Sequence, residues 1–162
     1  MTLKAKDIMV TQFDTIHEDA TVQEAVRLMK FTPNSPMDRR IFGLMVVNDS
    51  SELVGMIAMH DILFHVRPDY MKQEQYNAGL SWSGQFDAAC RKLKNMRVRD
   101  IMSQTTVSIA EDTNLNSIMD IITKRHLRRI PVLRGKSIAG IIYVSDLFYQ
   151  VFNELPKSGT NV

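Results

Sequence analysis

The fold of this chain is decided by one stretch, Arg129-Ile-Pro-Val-Leu-Arg-Gly-Lys-Ser-Ile-Ala-Gly140-Ile-Ile-Tyr-Val-Ser-Asp146-Leu-Phe148. Two short apolar segments flank a polar turn, Arg134-Gly-Lys-Ser137, and this pattern predicts a pair of strands. A helix is expected to begin near Asp146, since apolar positions at helical spacing follow it. The stretch therefore predicts strand, turn, strand and helix in that order.

The same plan occurs earlier in the chain. It reads Met45-Val-Val, a polar turn Asn48–Glu52, and then Leu53-Val-Gly55-Met-Ile-Ala-Met-His-Asp61. Gly55 recurs as Gly140 and Asp61 recurs as Asp146, each 85 residues later, and this offset sets Val46 against Pro131. The chain is therefore built from two copies of one unit.

Each copy opens with a matching motif. Lys6-Asp-Ile-Met9 recurs as Arg99-Asp-Ile-Met102 at an offset of 93, so the first copy carries eight extra residues in its middle. They fall in the segment 31–40, where Pro33 and Pro36 disfavour a helix and indicate a loop.

An amphipathic helix lies between these fixed points in each copy. Its apolar positions recur at helical spacing, and they are Val22, Ala25, Val26 and Met29 in the first copy and Leu115, Ile118, Met119 and Ile122 in the second. Thr21 and Glu24 predict a capping box, and Asn114 predicts an N-cap. Each copy thus reads strand, helix, strand, strand, helix.

Composition narrows the classes of function. A chain of 162 residues suits one domain, or two small halves that share a core. The net charge of +2 is weak evidence for nucleic acid, so we expect no nucleic-acid partner. Cys90 is the sole cysteine, which indicates a reducing compartment. No apolar run reaches membrane-spanning length, and we expect a cytoplasmic protein without a membrane partner.

The sequence offers little for catalysis. It has no phosphate-binding loop and no dinucleotide fingerprint. The four histidines have no metal-ligand spacing, and no residues pair as a nucleophile with its base. We therefore expect no catalytic residues, no metal site and no enzymatic activity.

A ligand site is better supported by the residues. Asp61 and Asp146 each stand where a strand meets a helix, and they act either as N-caps or as acceptors for both hydroxyls of a ribose. The helix start nearby favours a phosphate. Arg128 and Arg129 belong either to a solvated charge run or to a phosphate site.

The doubled pattern resembles a tandem pair of CBS (cystathionine β-synthase) domains, also called a Bateman module. This resemblance implies an α/β (α+β) fold of two β-α-β-β-α repeats in a pseudo-two-fold arrangement, with a helical insert between them. The expected boundaries are 1–66 for the first repeat, 67–97 for the insert, 98–155 for the second repeat and 156–162 for a disordered tail.

The insert allows two interpretations. Its apolar positions Phe86, Ala89, Cys90 and Leu93 favour a helix packed over a crevice. The alternative is a lid or a partner contact anchored by Trp82.

The resemblance also implies the ligand and the residues that bind it. The ligands are adenosine compounds, AMP, ADP, ATP or S-adenosylmethionine, which act as regulators and not as required cofactors. Ribose carboxylates would be Asp61 and Asp146. Walls around the base would include Val107, Leu127, Ile130 and Pro131, with Asp14, Gly43 and Met45 in the first copy. Basic groups near the phosphates would be His126, Arg128 and Arg129, or Arg39 and Arg40.

The chain departs from the family at one position in each copy. The family often has Ser or Thr three residues after the glycine, where this chain has Ala58 and Tyr143. His60 and Ser145 follow two residues later. Because the first copy also lacks an arginine in register, we expect the Asp146 site to bind more tightly.

Two functions remain open at this stage. The first is a regulatory module that senses an adenine nucleotide through a conformational change. The second is a ligand-free dimerisation or docking module that regulates a separate enzyme or transporter. Abundant apolar helix positions in a chain with 11 methionines, and the family's habit, predict a homodimer in either case.

Overall fold

The computed structural model describes residues 2–30, 43–67, 83–104 and 106–154. The predicted loop at 31–40, Trp82 and the tail at 156–162 lie outside these residues. Seven helices occur in the described residues, namely α1 (Ala5–Ile8), α2 (Val22–Lys30), α3 (Met59–Val66), α4 (Ser83–Lys94), α5 (Val98–Ile101), α6 (Leu115–Arg125) and α7 (Val144–Glu154). The strands are β1 (Thr15–His17), β2 (Gly43–Val47), β3 (Leu53–Ala58), β4 (Ile109–Ala110), β5 (Arg129–Arg134) and β6 (Ser137–Tyr143).

The strands form two three-stranded sheets of the same topology. The orders are β1-β2-β3 and β4-β5-β6. In each sheet the first pair is parallel and the second pair is an antiparallel hairpin. The predicted mixed α/β fold with two β-α-β-β-α repeats is therefore confirmed.

Helix caps at the repeated amphipathic helices match the sequence prediction. Thr21 N–H donates to Glu24 Oε2 at 2.9 Å, and Glu24 N–H donates to Thr21 Oγ1 at 3.2 Å. This reciprocal pair is the predicted capping box. Asn114 caps α6, since its side-chain oxygen accepts from Ser117 N–H at 2.9 Å. Both helices are thus fixed at their first turn.

The chain divides into two units that do not coincide with the sequence repeats. The terminal unit comprises Met1–Phe13 and Val107–Val162, and the central unit comprises Asp14–Thr106. Each unit has its own apolar core. Fully buried side chains include Ile118 and Ile142 in the terminal unit, and Val22 and Ile57 in the central unit.

The opening segment of the first repeat packs in the terminal unit, beside the second repeat. Ala5 is fully buried in this core, and its N–H donates to Thr113 O at 2.8 Å. Val10 and Ile141 exchange two backbone hydrogen bonds of 2.8 and 3.0 Å. The second repeat's unit is therefore completed by residues from the start of the chain.

The opening segment of the second repeat makes the equivalent contacts in the central unit. Val98 is fully buried there, and its N–H donates to Ala20 O at 2.8 Å. Ser103 and Met56 exchange backbone hydrogen bonds of 2.8 and 3.0 Å. The boundaries at 1–66 and 98–155 stay a prediction, and each structural unit combines the opening segment of one repeat with the rest of the other.

The repeated glycines are required by these exchanged segments. A Cβ at Gly55 would lie 2.6 Å from Ser103 O, and a Cβ at Gly140 would lie 2.7 Å from Met9 Sδ. Real Cβ atoms essentially never come this close to another atom. The glycine in each repeat thus admits the crossing segment onto the last strand.

The two hairpins differ by one residue. Val46 pairs with Gly55 and Val132 pairs with Gly140, so Val46 corresponds to Val132. The sequence offset that set Val46 against Pro131 is therefore wrong for β2, because the first turn is one residue longer. Asn48 Oδ1 stabilises this longer turn by accepting from the N–H groups of Ser50 and Glu52, both at 3.0 Å.

The predicted helix in the insert is α4. It contacts α2 and α3 in the central unit, and Leu93 is buried in that unit's core. Ala89 and Cys90 are half-buried on the same helix. The helical part of the insert thus packs on the first repeat. In the described part of the chain, no helix has the length and apolar character needed to span a membrane.

We predict that Gly55→Ala lowers the free energy of unfolding by about 1–3 kcal/mol, the usual cost of overpacking. The added methyl meets the Ser103 carbonyl at 2.6 Å and Met102 Sδ at 2.9 Å. Urea unfolding followed by circular dichroism measures the change.

Met102→Ala provides the control for this substitution. It removes the flexible neighbour and leaves the backbone contact, so most of the cost should persist when Gly55→Ala is made in that background. A cost below about 0.5 kcal/mol, within the range of an ordinary surface substitution, would contradict the crossing at Gly55.

Candidate functional site

Asp61 and Asp146 occupy the third position of their helices. The structure begins α3 at Met59 and α7 at Val144, two residues before the starts predicted from sequence. The N-cap interpretation of both carboxylates is therefore wrong in position. The sequence did not reveal the true start of α3, because its N-cap residue, Ala58, has no polar side-chain group that would mark it.

The Asp61 carboxylate nevertheless stabilises the start of its helix. Asp61 Oδ2 accepts a hydrogen bond of 2.8 Å from Ala58 N–H. Asp7 in α1 and Asp100 in α5 make the same contact with the backbone N–H groups of Lys4 and Arg97. An acid at the third helical position is thus a recurring device of this chain, and it uses one carboxylate oxygen of Asp61.

The topology brings the candidate residues of the terminal unit to one end of its sheet. Arg129 opens β5 and is paired with Tyr143, which closes β6. Arg128 O accepts a hydrogen bond of 2.9 Å from Val144 N–H, the first residue of α7. Ser145 and Asp146 follow within the first turn of α7. The backbones of Arg128 and Arg129 therefore adjoin the helix turn that carries Asp146.

The charges at this helix start differ in exposure. Arg128 is exposed, whereas Arg129 and Asp146 are half-buried. Ser145 is exposed at the second position of the helix. His126 is also exposed and is the C-cap of α6, with φ 51°, in the left-handed region. An anionic ligand would therefore meet solvent-accessible donors here.

The equivalent end of the central sheet carries fewer donors. Gly43 is paired with Ala58, so Gly43 takes the position that Arg129 holds in the terminal unit. His60 is exposed and Asp61 is half-buried at the start of α3. Asp14 is half-buried and directly precedes β1. Arg39 and Arg40, the predicted phosphate contacts of this copy, lie outside the described residues.

The apolar candidates separate by the face of the sheet that they occupy. Ile130 is fully buried in the core of the terminal unit. Pro131 and Met45 are also buried, yet neither belongs to the core of its unit. Because side chains alternate along a strand, they lie on the opposite face of their sheets. Val107 and Leu127 are half-buried against the terminal core.

Thr106 adds a polar group that the sequence patterns did not single out. Its hydroxyl oxygen is buried, and no hydrogen-bond partner for it lies among the described residues. Such a hydroxyl costs about 1–3 kcal/mol unless a water or another polar atom pairs with it. The sequence signal that could have identified Thr106 was its position directly before the candidate residue Val107. No group of three metal-ligating side chains occurs within the described ranges.

Comparison with known proteins agrees with the doubled architecture. The family model described as CBS domain matches residues 5–68 and 98–153, which together span most of the chain. The chain belongs to the CBS-domain family. The predicted tandem CBS pair is thereby confirmed.

Relatives and solved structures share this architecture at low identity. An uncharacterised protein, YlbB of Bacillus subtilis, is 26% identical over 147 residues, covering 89% of this chain and 79% of YlbB. A CBS domain-containing protein of unknown function from Kribbella flavida has a TM-score of 0.74 at 20% identity, covering 93% of this chain and 99% of that one.

Two further structures of this fold were solved with nucleotides. CBSX2 in complex with AMP has a TM-score of 0.67 at 18% identity, covering 93% of this chain and 96% of that chain. The cytosolic domain of the Mg²⁺ channel MgtE in complex with ATP has a TM-score of 0.66 at 19% identity, covering 91% of this chain and 48% of that chain. At these identities the likeness establishes the fold.

We predict that Asp61→Ala lowers the free energy of unfolding by about 1 kcal/mol, because Ala58 N–H loses its acceptor. Asp61→Asn keeps an acceptor oxygen and should lose less. Thermal and urea unfolding of the ligand-free protein measure both variants. Equal stability of Asp61→Ala and the parent protein would contradict the helix-start role.

Proposed function

We propose that this protein is a regulatory module that binds an adenine nucleotide at the start of α7. The observation that carries the proposal is the strand pairing that brings Arg128 and Arg129 beside the helix turn of Asp146. A carboxylate accepts hydrogen bonds from ribose hydroxyls, and a guanidinium donates two hydrogen bonds to a phosphate. The site thus offers complementary groups for both parts of a nucleotide.

The family fold adds support from structures of other proteins. CBSX2 was solved with AMP and the cytosolic domain of MgtE with ATP. The proposed role of this chain is to change conformation on binding and to regulate a separate enzyme or transporter. The ligand class proposed here is AMP, ADP, ATP or S-adenosylmethionine.

The α7 site is proposed as the stronger of two. The equivalent helix start in the central unit has Gly43 in the position of Arg129. A charged hydrogen bond contributes about 1.5–3 kcal/mol, so the loss of one guanidinium weakens a site by about one to two orders of magnitude.

A thermal-shift screen tests whether any ligand binds. The panel contains AMP, ADP, ATP, S-adenosylmethionine and NAD, each titrated against the full chain. Saturable stabilisation by an adenine nucleotide supports the proposal, because a ligand that binds the folded state raises its apparent stability. Absence of a shift across the panel overturns it and favours the ligand-free docking module.

We predict that Asp146→Ala weakens nucleotide binding by about one to two orders of magnitude. Asp61→Ala should leave the tighter binding event nearly unchanged, although it removes a stabilising contact at α3. Isothermal titration calorimetry, after circular dichroism confirms folding, measures both variants. The assignment fails if Asp61→Ala alone abolishes binding, or if both variants bind as the parent does.

We propose that the protein forms a homodimer. Large apolar side chains are exposed at equivalent positions of α3 and α7, since Leu63 and Phe148 are 66% and 55% exposed, and Phe64 and Tyr149 are 46% and 65% exposed. Phe152 extends the row on α7 at 53% exposed. Both repeats expose these apolar side chains at equivalent positions. We therefore propose that a second copy of the chain covers them, since symmetric dimers bury the same patch of each subunit.

We predict that Phe148→Asp shifts the protein from a dimer to a monomer of 18.5 kDa. The reason is that a buried unpaired carboxylate is costly at an apolar interface. Multi-angle light scattering at micromolar concentration measures the mass. Asn153→Asp adds the same charge to an exposed position of α7 and should remain dimeric. A monomeric parent protein would overturn the dimer.

A further inference from the structure

We propose that the α7 site selects nucleoside di- and triphosphates over monophosphates, and that Arg125 contacts the outer phosphates. This inference rests on the proposed function, because it assigns a ligand class to the same site. The evidence comes from one basic segment, Lys124-Arg-His-Leu-Arg-Arg129, in which five of six residues are basic. Two of its features matter, namely the course of its backbone and the ion pairs that its side chains make.

The run leads from the end of α6 to the start of α7. Arg125 is the last residue of α6, and His126 then adopts φ 51° and ψ 42°. The N–H groups of His126 and Leu127 both donate to Ile122 O. This turn directs the chain to Arg128, whose carbonyl accepts the Val144 N–H at 2.9 Å. Arg125 and Arg128 therefore flank one bend.

Two other cations of the terminal unit have carboxylate partners. Lys124 Nζ lies 2.9 and 3.0 Å from the two Asp120 oxygens. Arg134 donates two hydrogen bonds to Glu111, at 2.6 and 3.0 Å, and this guanidinium lowers the pKa of the Glu111 carboxyl. Arg125 and Arg128 are exposed, and among the described residues no carboxylate lies within 4.0 Å of either guanidinium.

The dipole of α6 stabilises one of these two arginines without a carboxylate partner. Arg125 lies at the C-terminus of α6, where a cation is favoured. Arg128 lies at the N-terminus of α7, where the same field disfavours it. An anion bound between them would relieve this repulsion. We infer that the phosphates of a ligand supply this anion.

The spacing favours a chain of phosphates. Arg125 and Arg128 are three residues apart, so their Cα atoms lie at most about 11 Å apart. A phosphate that binds beside Arg128 leaves Arg125 for the next phosphates of a di- or triphosphate. S-adenosylmethionine carries a cationic sulfonium and no phosphate, and like charges repel it from this run.

Calorimetry in metal-free buffer with EDTA tests the selection, with AMP, ADP and ATP as probes. In the parent protein ATP should bind at least about tenfold more tightly than AMP. Arg125→Gln should weaken ATP binding about tenfold and AMP binding less than about threefold. The matched control is Lys124→Gln, which removes the same charge from a residue paired with Asp120 and should keep the parent ratio.

Two results would overturn the selection while leaving the proposed function intact. One is an AMP affinity within about threefold of the ATP affinity, less than a single charged hydrogen bond provides. The other is an equal effect of Lys124→Gln and Arg125→Gln, which would indicate unspecific attraction by net charge.

Inorganic tripolyphosphate separates the two proposals. Much weaker binding of tripolyphosphate than of ATP supports both of them. Binding as tight as that of ATP overturns the nucleotide function, because the nucleoside then contributes nothing, and keeps only the contact of Arg125 with a phosphate chain. Binding by none of these probes overturns both proposals.

Discussion

The backbone hydrogen bonds between Val10 and Ile141, with their counterparts between Met56 and Ser103, determine which parts of the chain form each unit. Each bond contributes only about 0.5–1.5 kcal/mol. Their effect on architecture is larger, because they add an exchanged segment to the last strand of each sheet. That strand leads directly into α3 or α7, the helices that carry the candidate carboxylates in their first turns.

The exchange also explains why the chain repeats glycine at the same point. Crossing segments approach β3 and β6 so closely that only a residue without Cβ fits at Gly55 and Gly140. The sequence pattern identified these glycines as markers of a repeat. Their physical role became visible only with the crossing segments, since residues 10 and 141 are far apart in the chain.

Much of the local structure was predictable from sequence because it depends on local chemistry. The capping box at Thr21 and the N-cap at Asn114 follow from residues a few positions apart. The starts of α3 and α7 were wrong by two residues, since Ala58 gives no capping signal. The register of β2 was wrong by one residue, because the turn held by Asn48 contains an extra residue.

The sequence suggested which residues are candidates for the site, but it did not show how the strands arrange them around each helix start. Sequence repeats placed Asp61 and Asp146 in equivalent positions, and the structure keeps them equivalent at the third position of each helix. What distinguishes the two helix starts is the register of the neighbouring strand, which brings Arg129 to one and Gly43 to the other. This difference arises from strand pairing, which a one-residue change in turn length alters.

The central claim is that the start of α7 is the principal nucleotide site. Amide chemical-shift mapping by NMR during a titration with ADP tests it directly. The account predicts that the largest shifts occur at the start of α7, in Tyr143–Leu147, and in the adjoining segment Leu127–Ile130. Largest shifts at Ala58–Ile62 instead, or no saturable shifts at either helix start, would contradict it.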